Sequence, residues 1–447
     1  MSGDEGKARI VEANRSQIEW GRIDLEADLP ADHIARVVWD FTGTLDLSAF
    51  YAKIKARGDH PGRPAADPRV LLALWLLATI DGVGSARALA QLCEQDLAYR
   101  WLAGGVPVNY HGLADFRTAH TEALDDLLTR SLATFLAEGL ADPTALIVDG
   151  TKVKASAGKS SYKRAARLEE AETAAKAQVA RLKAELEADP AATAKRQHAA
   201  KQRAAAERLA KIEKAKRTLA EIDRERSKRA EHDKKEVEKM KAPRASLTDP
   251  EARRMRFADG AVKPGYNVQI AATVDHGFIT AIKTTSRRND MGLAAVMVAE
   301  SERRTGQAAS RLLADTGYAD EADITALTDR TIGGQAAPVE VYIPVKPDDP
   351  DVKPETLRRR EQQRERECTA MKAWRARMAS EAAEAIMKQR SRIERINAHL
   401  KTHGFATVLV RGAAKVQCVA LLHGLAHNLL TALRLRAARA AAAAATA

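Results

Sequence analysis

Twice in this chain an apolar run too short to be a helix ends on an aspartate. Ala145-Leu146-Ile147-Val148 runs into Asp149-Gly150, and Leu312-Leu313-Ala314 runs into Asp315-Thr316-Gly317. A continuous apolar run without alternation is how a strand buried on both faces reads, and such strands lie in the middle of a helix-covered sheet. Three more extended segments accompany them. Tyr266 to Val274 and Phe278 to Thr284 flank Asp275-His276-Gly277, a hairpin signal, and Val339 to Val345 supplies a fifth strand. A helix is expected from about Met291 to Arg304, between the hairpin and the second acid-tipped run. Strands joined by tight turns are antiparallel, and the later strand–helix units add parallel partners. The expectation is an α/β fold with a mixed five-stranded sheet flanked by helices. Its first and fourth strands lie side by side and bring Asp149 and Asp315 together at their tips.

The rest of the chain divides around that sheet. Residues 1–30 are polar and read as an N-terminal arm. Residues 31–140 carry a helical period, seen in Val70, Leu71, Leu74 and Leu77 and again in Leu124, Leu127, Leu128, Leu132, Phe135 and Leu136. Ser85 is placed to cap a helix, and Gly82-Val83-Gly84 makes a corner that admits a helix-turn-helix reading beside that of an ordinary bend. Residues 141–162 hold the first strand region of the sheet. Residues 163–245 are highly charged, with apolar residues at heptad-like spacing interrupted at Asp189-Pro190. That pattern reads as a helical hairpin, or two coiled-coil arms, inserted into the next domain. The sheet domain then resumes over 246–435, with a charged helical stretch at 353–402 and an apolar helix at 416–435, and 436–447 is an alanine-rich tail expected to fray.

Charge narrows the function. The 447 residues carry a net +12, yet 163–244 alone is about +9 and 353–401 about +7, so the remainder is slightly acidic. A basic excess confined to two segments fits contact with a polyanion better than a general solubility charge, although a solvated helical face is the plainer reading of 163–244. Three widely spaced cysteines, Cys93, Cys368 and Cys418, provide neither a disulfide framework nor a zinc knuckle. Asp4 and Glu5 stand where a signal peptide would be apolar, and Leu71 to Ile80 is about half a bilayer crossing. A cytoplasmic protein that contacts no membrane is expected.

A third acid is offered by the segment from Met387 to Lys401. At about 100° per residue, Arg390, Glu394, Asn397 and Lys401 share one helical face, with Ile393, Ile396 and Leu400 beside it. The apolar stripe would pack on the sheet while the polar shoulder faces the two aspartates. Oxygen ligands suit hard cations such as magnesium, and phosphoryl transfer with two metals needs a few carboxylates with open positions. The bland alternative is an i,i+4 salt bridge between Arg390 and Glu394. His423 and His427 are four apart, but Gly424 stands where a zincin helix has its glutamate, so buried, hydrogen-bonded histidines are expected. Trp75, Trp101, Cys93 and Cys418 read as core or near-core residues.

Arg390-x3-Glu394-x6-Lys401 resembles the YREK signature of the DDE transposases of bacterial insertion sequences. The resemblance extends to Asp149-Gly150-Thr151-Lys152-Val153-Lys154-Ala155, Asp249-Pro250-Glu251-Ala252-Arg253, Gly265-Tyr266-Asn267-Val268-Gln269, Asn289-Asp290, Ala314-Asp315-Thr316-Gly317-Tyr318 and Val410-Arg411-Gly412, in family order. Residues 33–120 are similar to the helical N-terminal domain of those enzymes. The resemblance implies a ribonuclease-H-like core in which Asp149, Asp315 and Glu394 are both catalytic triad and metal ligands. It implies two Mg2+ (or Mn2+) ions and cut-and-join chemistry on DNA, with transposon ends and a target duplex as partners. Arg390 and Lys401 would be the triad's basic companions; Asn397, on the same face, with Lys152, Lys154, Arg287 and Arg288, completes the set of candidate DNA contacts. Pairing of two ends implies a homodimer. The signature tyrosine is replaced by Met387, which lacks a hydroxyl to donate. Two other readings stay open on the residues alone: a nuclease of the same fold that cuts without joining, and a non-catalytic DNA-binding protein whose three acids lie far apart.

Overall fold

The computed structural model describes residues 23–56, 64–188, 195–232, 242–346 and 353–446. Most of the N-terminal arm and the Asp189-Pro190 interruption lie outside the described residues. The N-terminal helices include α1 (Ile34–Thr44), α2 (Pro68–Ile80), α3 (Ala86–Gln95), α4 (Leu97–Ala103), α5 (Tyr110–Ala119) and α6 (Thr121–Ala137). Local chemistry sets their ends. Asp67 accepts the Arg69 N–H with Pro68 in the first turn of α2, and Ser85 accepts the Ala88 N–H at the start of α3. Residues 70 and 72–78 of α2 are all buried, so this helix is the middle of its bundle and not a surface helix. Trp75 is in the core and donates to the Leu113 carbonyl at 2.9 Å, whereas Trp101 is half-buried, donates to Glu26 and meets Trp39 edge-on.

The sheet has six strands: β1 (Ala145–Lys154), β2 (Arg253–Arg256), β3 (Val262–Thr273), β4 (Ile279–Thr285), β5 (Arg311–Leu313) and β6 (Glu340–Tyr342). Their order is β6-β5-β1-β3, and the far side of the long β3 is shared by β2 and β4. β1 is antiparallel to β3 and parallel to β5, and β5 is parallel to β6. The mixed order expected from the sequence is present, with β2 as a strand beyond the expected five. It forms because the first residues of β3 extend past β4 and leave an edge that Arg253–Arg256 pairs. β1 also departs from expectation. It does not stop at Asp149-Gly150 but continues to Lys154, because every residue from Leu146 to Lys154 has a partner on β3.

The insertion leaves the sheet through a two-stranded ladder, Tyr162 opposite Ser246 and Lys163 opposite Ala245, which closes its root. Above it, α7 (Ala165–Ala188) and α8 (Lys195–His232) form a helical hairpin. Leu168, Ala175 and Leu182 on one helix and Ala205, Ile212 and Leu219 on the other are buried, a seven-residue spacing on each. Lys216 bridges to Glu172 at 2.5 Å, while Arg253 reaches back to Glu221 and Lys214 to Glu251, holding the hairpin base to the sheet.

The remaining helices are α9 (Ala294–Thr305), α10 (Glu321–Thr328), α11 (Pro354–Glu365), α12 (Thr369–Met378), α13 (Glu381–Lys388), α14 (Ser391–Leu400) and α15 (Ala413–Thr446). The continuous helix expected from Met387 to Lys401 is broken: α13 ends at Lys388, Gln389 and Arg390 form a turn, and α14 restarts at Ser391. The alanine tail, expected to fray, continues α15 in helical form to Thr446, in keeping with alanine's propensity. α15 is long and apolar enough to cross a membrane, but 78% of its apolar stretch is buried inside the protein. It packs against α6, α5, α2 and β4 and so joins the helical region to the sheet. Its amides also occupy the backbone of β4. Asn428 accepts from the Ile279 N–H and donates to the Ile279 carbonyl, and Gln417 does the same with the Thr284 N–H and the Ile282 carbonyl. Arg304 of α9, with a side chain 1% exposed, adds an ionic tie to Asp125 of α6 and to Glu300.

One side of the sheet shares a single apolar core with the N-terminal helices, α14 and α15. The opposite side, with Leu146, Val148, Leu312 and Ala314, packs on α9, α10 and α12. The Gly82–Gly84 corner, a candidate DNA reader on sequence, is covered at Gly82 and exposed at Gly84. Gly82 sits at φ +73 against the backbone of 402–404, and a Cβ on Gly404 would lie 2.9 Å from the Gly82 carbonyl oxygen. Backbone of residues 402–404 therefore covers the Gly82 end of that corner.

Candidate active site

The parallel register pairs Ile147 with Leu313, so two residues further along, Asp149 and Asp315 emerge alongside one another. Asp149 remains in β1, while Asp315 leaves β5 and caps a short 3-10 turn by accepting the Gly317 N–H at 2.8 Å. Both carboxylates open into a cleft of about 920 Å³, which Glu394, Asn397 and Lys401 line from the side of α14 and Lys152 and Lys154 from the far end of β1. The three expected acids therefore share one cleft.

Their environments differ. Burial, then the negative charge of Asp315, pushes the Asp149 carboxyl up to about 6, against the Gly150 N–H and Arg390. Burial likewise raises Asp315, with Asp290 adding to it and the Gly317 N–H opposing. Neighbouring buried carboxylates whose ionisation is disfavoured invite a cation. Glu394 stands at the rim, 60% exposed, and its carboxylate accepts from Arg390 at 2.8 Å. This is the i,i+4 bridge that the spacing permits. Among the described residues no three or more His, Cys, Asp or Glu side chains converge closely enough to hold a metal ion.

Asn397 is buried and turned inward. Its Nδ2 donates to Asp149 Oδ2 at 2.7 Å, while its Oδ1, also buried, has no partner. Its geometry is that of a residue that orients Asp149 rather than one that reaches outward to DNA. Arg287 and Arg288 lie on the exposed loop after β4, outside the cleft lining. Arg287 donates to the carbonyls of Met291 and Gly292 and so braces its own loop. Met387 is half-buried against the apolar core.

A fourth carboxylate, Asp290, joins the cleft from the loop before α9. Its Oδ1 accepts from Asn267 and Gln269, both at 2.7 Å, and Gln269 in turn accepts from the Tyr318 hydroxyl. A Cβ on Gly150 would meet Asp290 Oδ1, Gln269 Nε2 and Asn267 Oδ1, all within 2.8 Å, so glycine leaves room for this network. The role of Asp290 was not apparent in the sequence. The available signal was Asn267-x-Gln269, two amides on one face of an otherwise apolar strand, which require a polar partner when buried.

Packing accounts for the two histidines of α15. His423 is fully buried against the Phe405 ring, and burial lowers its pKa to about 3. His427 Nε2 lies 2.9 Å from the Gly277 carbonyl oxygen.

Residues 140–429 match the Transposase DDE domain family, and residues 23–119 match the Transposase domain (DUF772) family. No curated protein sequence and no solved structure matches the chain. The chain belongs to the DDE-domain transposases.

Proposed function

We propose that this transposase cuts DNA at the ends of an insertion sequence and joins them to target DNA, using Asp149, Asp315 and Glu394 on a ribonuclease-H-like sheet. The observation that carries the reading is the register that sets Asp149 beside Asp315 in a cleft that Glu394 also lines. The strand order supports it, since three antiparallel strands followed by two parallel ones is the arrangement a ribonuclease-H-like core requires. The donor set suits a hard divalent cation, being entirely oxygen and containing two carboxylates that disfavour each other's charge. Asp149 and Asp315 would hold Mg2+ or Mn2+, with Glu394 joining once it leaves Arg390; an exposed bridge of this kind is worth about 0–1 kcal/mol. When bound, a pair of such ions supplies a more acidic water and a counter-charge for the leaving oxygen.

The protein's own groups do the rest. Asn397 fixes the rotamer of Asp149, and the Gly317 N–H fixes Asp315. Asp290, held by two amides, adds negative charge that strengthens cation binding. Lys152, Lys154, Lys401 and the freed Arg390 face the phosphates of a strand lying in the cleft. Met387 offers no hydroxyl to that strand. The helical N-terminal region binds the ends, two copies pair them, and the reaction takes place in the cytoplasm.

The test is strand cleavage and joining with a donor end and a target duplex. Asp149→Asn, Asp315→Asn and Glu394→Gln are each expected to abolish cleavage while DNA binding persists. Full activity in any one of them removes that residue from the triad. Cleavage without joined product in the unaltered protein would make it a nuclease of the same fold.

A further inference from the structure

The charge on α14 is not confined to its cleft side. At about 100° per residue, Arg392 and Arg395 lie roughly 60° apart and on the far side of the exposed crest from Asn397 and Lys401. They line a separate recess of about 590 Å³, with Lys388 on their side and Asp142 and Asp275 opposite. Those two carboxylates are engaged by their own backbone. Asp275 accepts from the N–H groups of Asp142 and His276, and Asp142 accepts from the N–H and hydroxyl of Thr144.

Elsewhere in this part of the molecule arginines are paired. Arg304 meets Asp125, Arg330 meets Glu302, Arg375 meets Glu367 and Arg436 meets Glu138. Among the described residues no ion pair or hydrogen bond reaches the guanidinium group of Arg392, Arg395 or Arg434. Burial, then Arg395, holds the Arg392 guanidinium below its ordinary pKa; Asp275 opposes this and Arg434, from α15, adds to it. Arg395 and Arg434 are exposed. Lys388 and the three guanidinium groups outnumber the carboxylates of Asp142 and Asp275, which leaves a net positive site for an external polyanion, and the planar donor forks of the arginines match phosphate.

We propose that Arg392, Arg395 and Arg434 grip the phosphates of the second strand of the duplex whose first strand lies in the acidic cleft. An α-helix is about 10–12 Å across and the DNA major groove about 12 Å wide, so one helix can lie between the two backbones of a duplex. Basic groups flank α14 on both sides, Arg390 and Lys401 at its two ends on one and Arg392 and Arg395 on the other. The crest between them, Ser391, Glu394 and Ala398, is exposed. The inference rests on the transposase reading in taking DNA as the polyanion and the acidic cleft as the seat of its first strand.

The experiment measures binding of a random-sequence duplex, and of one of its separated strands, as salt is raised. The variants are the triple Arg392→Gln/Arg395→Gln/Arg434→Gln and the matching triple to lysine. Removing one cationic grip on a phosphate lowers the duplex salt slope by about 0.9, so the glutamine triple is expected to lower it by about 2.7 and the lysine triple to keep most of it. The slope on the single strand is expected to stay close to that of the unaltered protein. An unchanged duplex slope in the glutamine triple, or an equal fall on single strand and duplex, overturns the proposal. If the unaltered protein binds neither probe, the DNA reading itself fails. Should the triple not fold, Arg395→Gln and Arg434→Gln singly, both at exposed positions, are each expected to lower the slope by about 0.9, and an unchanged slope in both is again refuting.

Discussion

Asp149→Asn is expected to stabilise the protein while removing its activity. In the metal-free protein, burial and Asp315 push the Asp149 carboxyl from 3.8 up to about 6. That is roughly two pKa units, and at about 1.4 kcal/mol each it corresponds to about 3 kcal/mol. The sign follows from the direction. A carboxyl whose pKa is raised by folding favours the folded state when protonated, so its contribution is complete below pH 3.8 and is lost as pH rises through about 6. At neutral pH the folded protein carries an ionised Asp149 that it disfavours by about 3 kcal/mol. Asparagine keeps an oxygen to accept from Asn397 and has no charge to desolvate. Urea unfolding in the presence of a chelator should therefore show the variant about equal to the parent at pH 4 and more stable by up to about 3 kcal/mol at pH 7. Magnesium should raise the stability of the parent at pH 7 and have little effect on the variant. A variant no more stable than its parent at neutral pH, or a difference that does not change with pH, would refute the reasoning.

Three further outcomes follow from the geometry. Gly150→Ala places a methyl among Asp290, Gln269 and Asn267, and should cost about 1–3 kcal/mol of stability and slow cleavage, measured by denaturant melts and a cleavage time course. Asp290→Ala strands the Asn267 and Gln269 amides. It should cost about 1–3 kcal/mol and raise the Mg2+ concentration needed for half-maximal cleavage; an unchanged metal requirement would separate Asp290 from the site. Arg304→Ala removes a buried partner of Asp125 and Glu300, which Arg303 still bridges, and should cost about 1–3 kcal/mol, with hydrogen exchange rising first where α6 meets α9.

The parts of the fold that could be read in the sequence were those with a single period. Ile147 and Leu313 lie in unbroken apolar runs, and the mixed sheet followed from the order of such runs. The charged hairpin was legible because Leu168, Ala175 and Leu182 recur at one interval. What escaped depended on partners distant in the chain. The extent of β1 past Gly150 is set by pairing with β3, which no property of residues 150–154 discloses. The turn at Gln389 and Arg390 contains neither proline nor glycine, so nothing local marks where α13 gives way to α14. Asp290 sits in a polar loop, and only the two amides on β3, more than twenty residues earlier, show why its carboxylate is held in the cleft. The covering of Gly82 is explained only by a contact with Gly404.

The side-chain amides of Gln417 and Asn428 hold the β4 backbone much as a neighbouring strand would. During synthesis the sheet is complete in sequence long before those two residues leave the ribosome. A nascent chain ending short of Ala413 would thus present an open strand edge and a bare apolar face, a combination that promotes aggregation. Arrival of α15 would cover both at once, so the acidic cleft would acquire its final rigidity only after these residues are made.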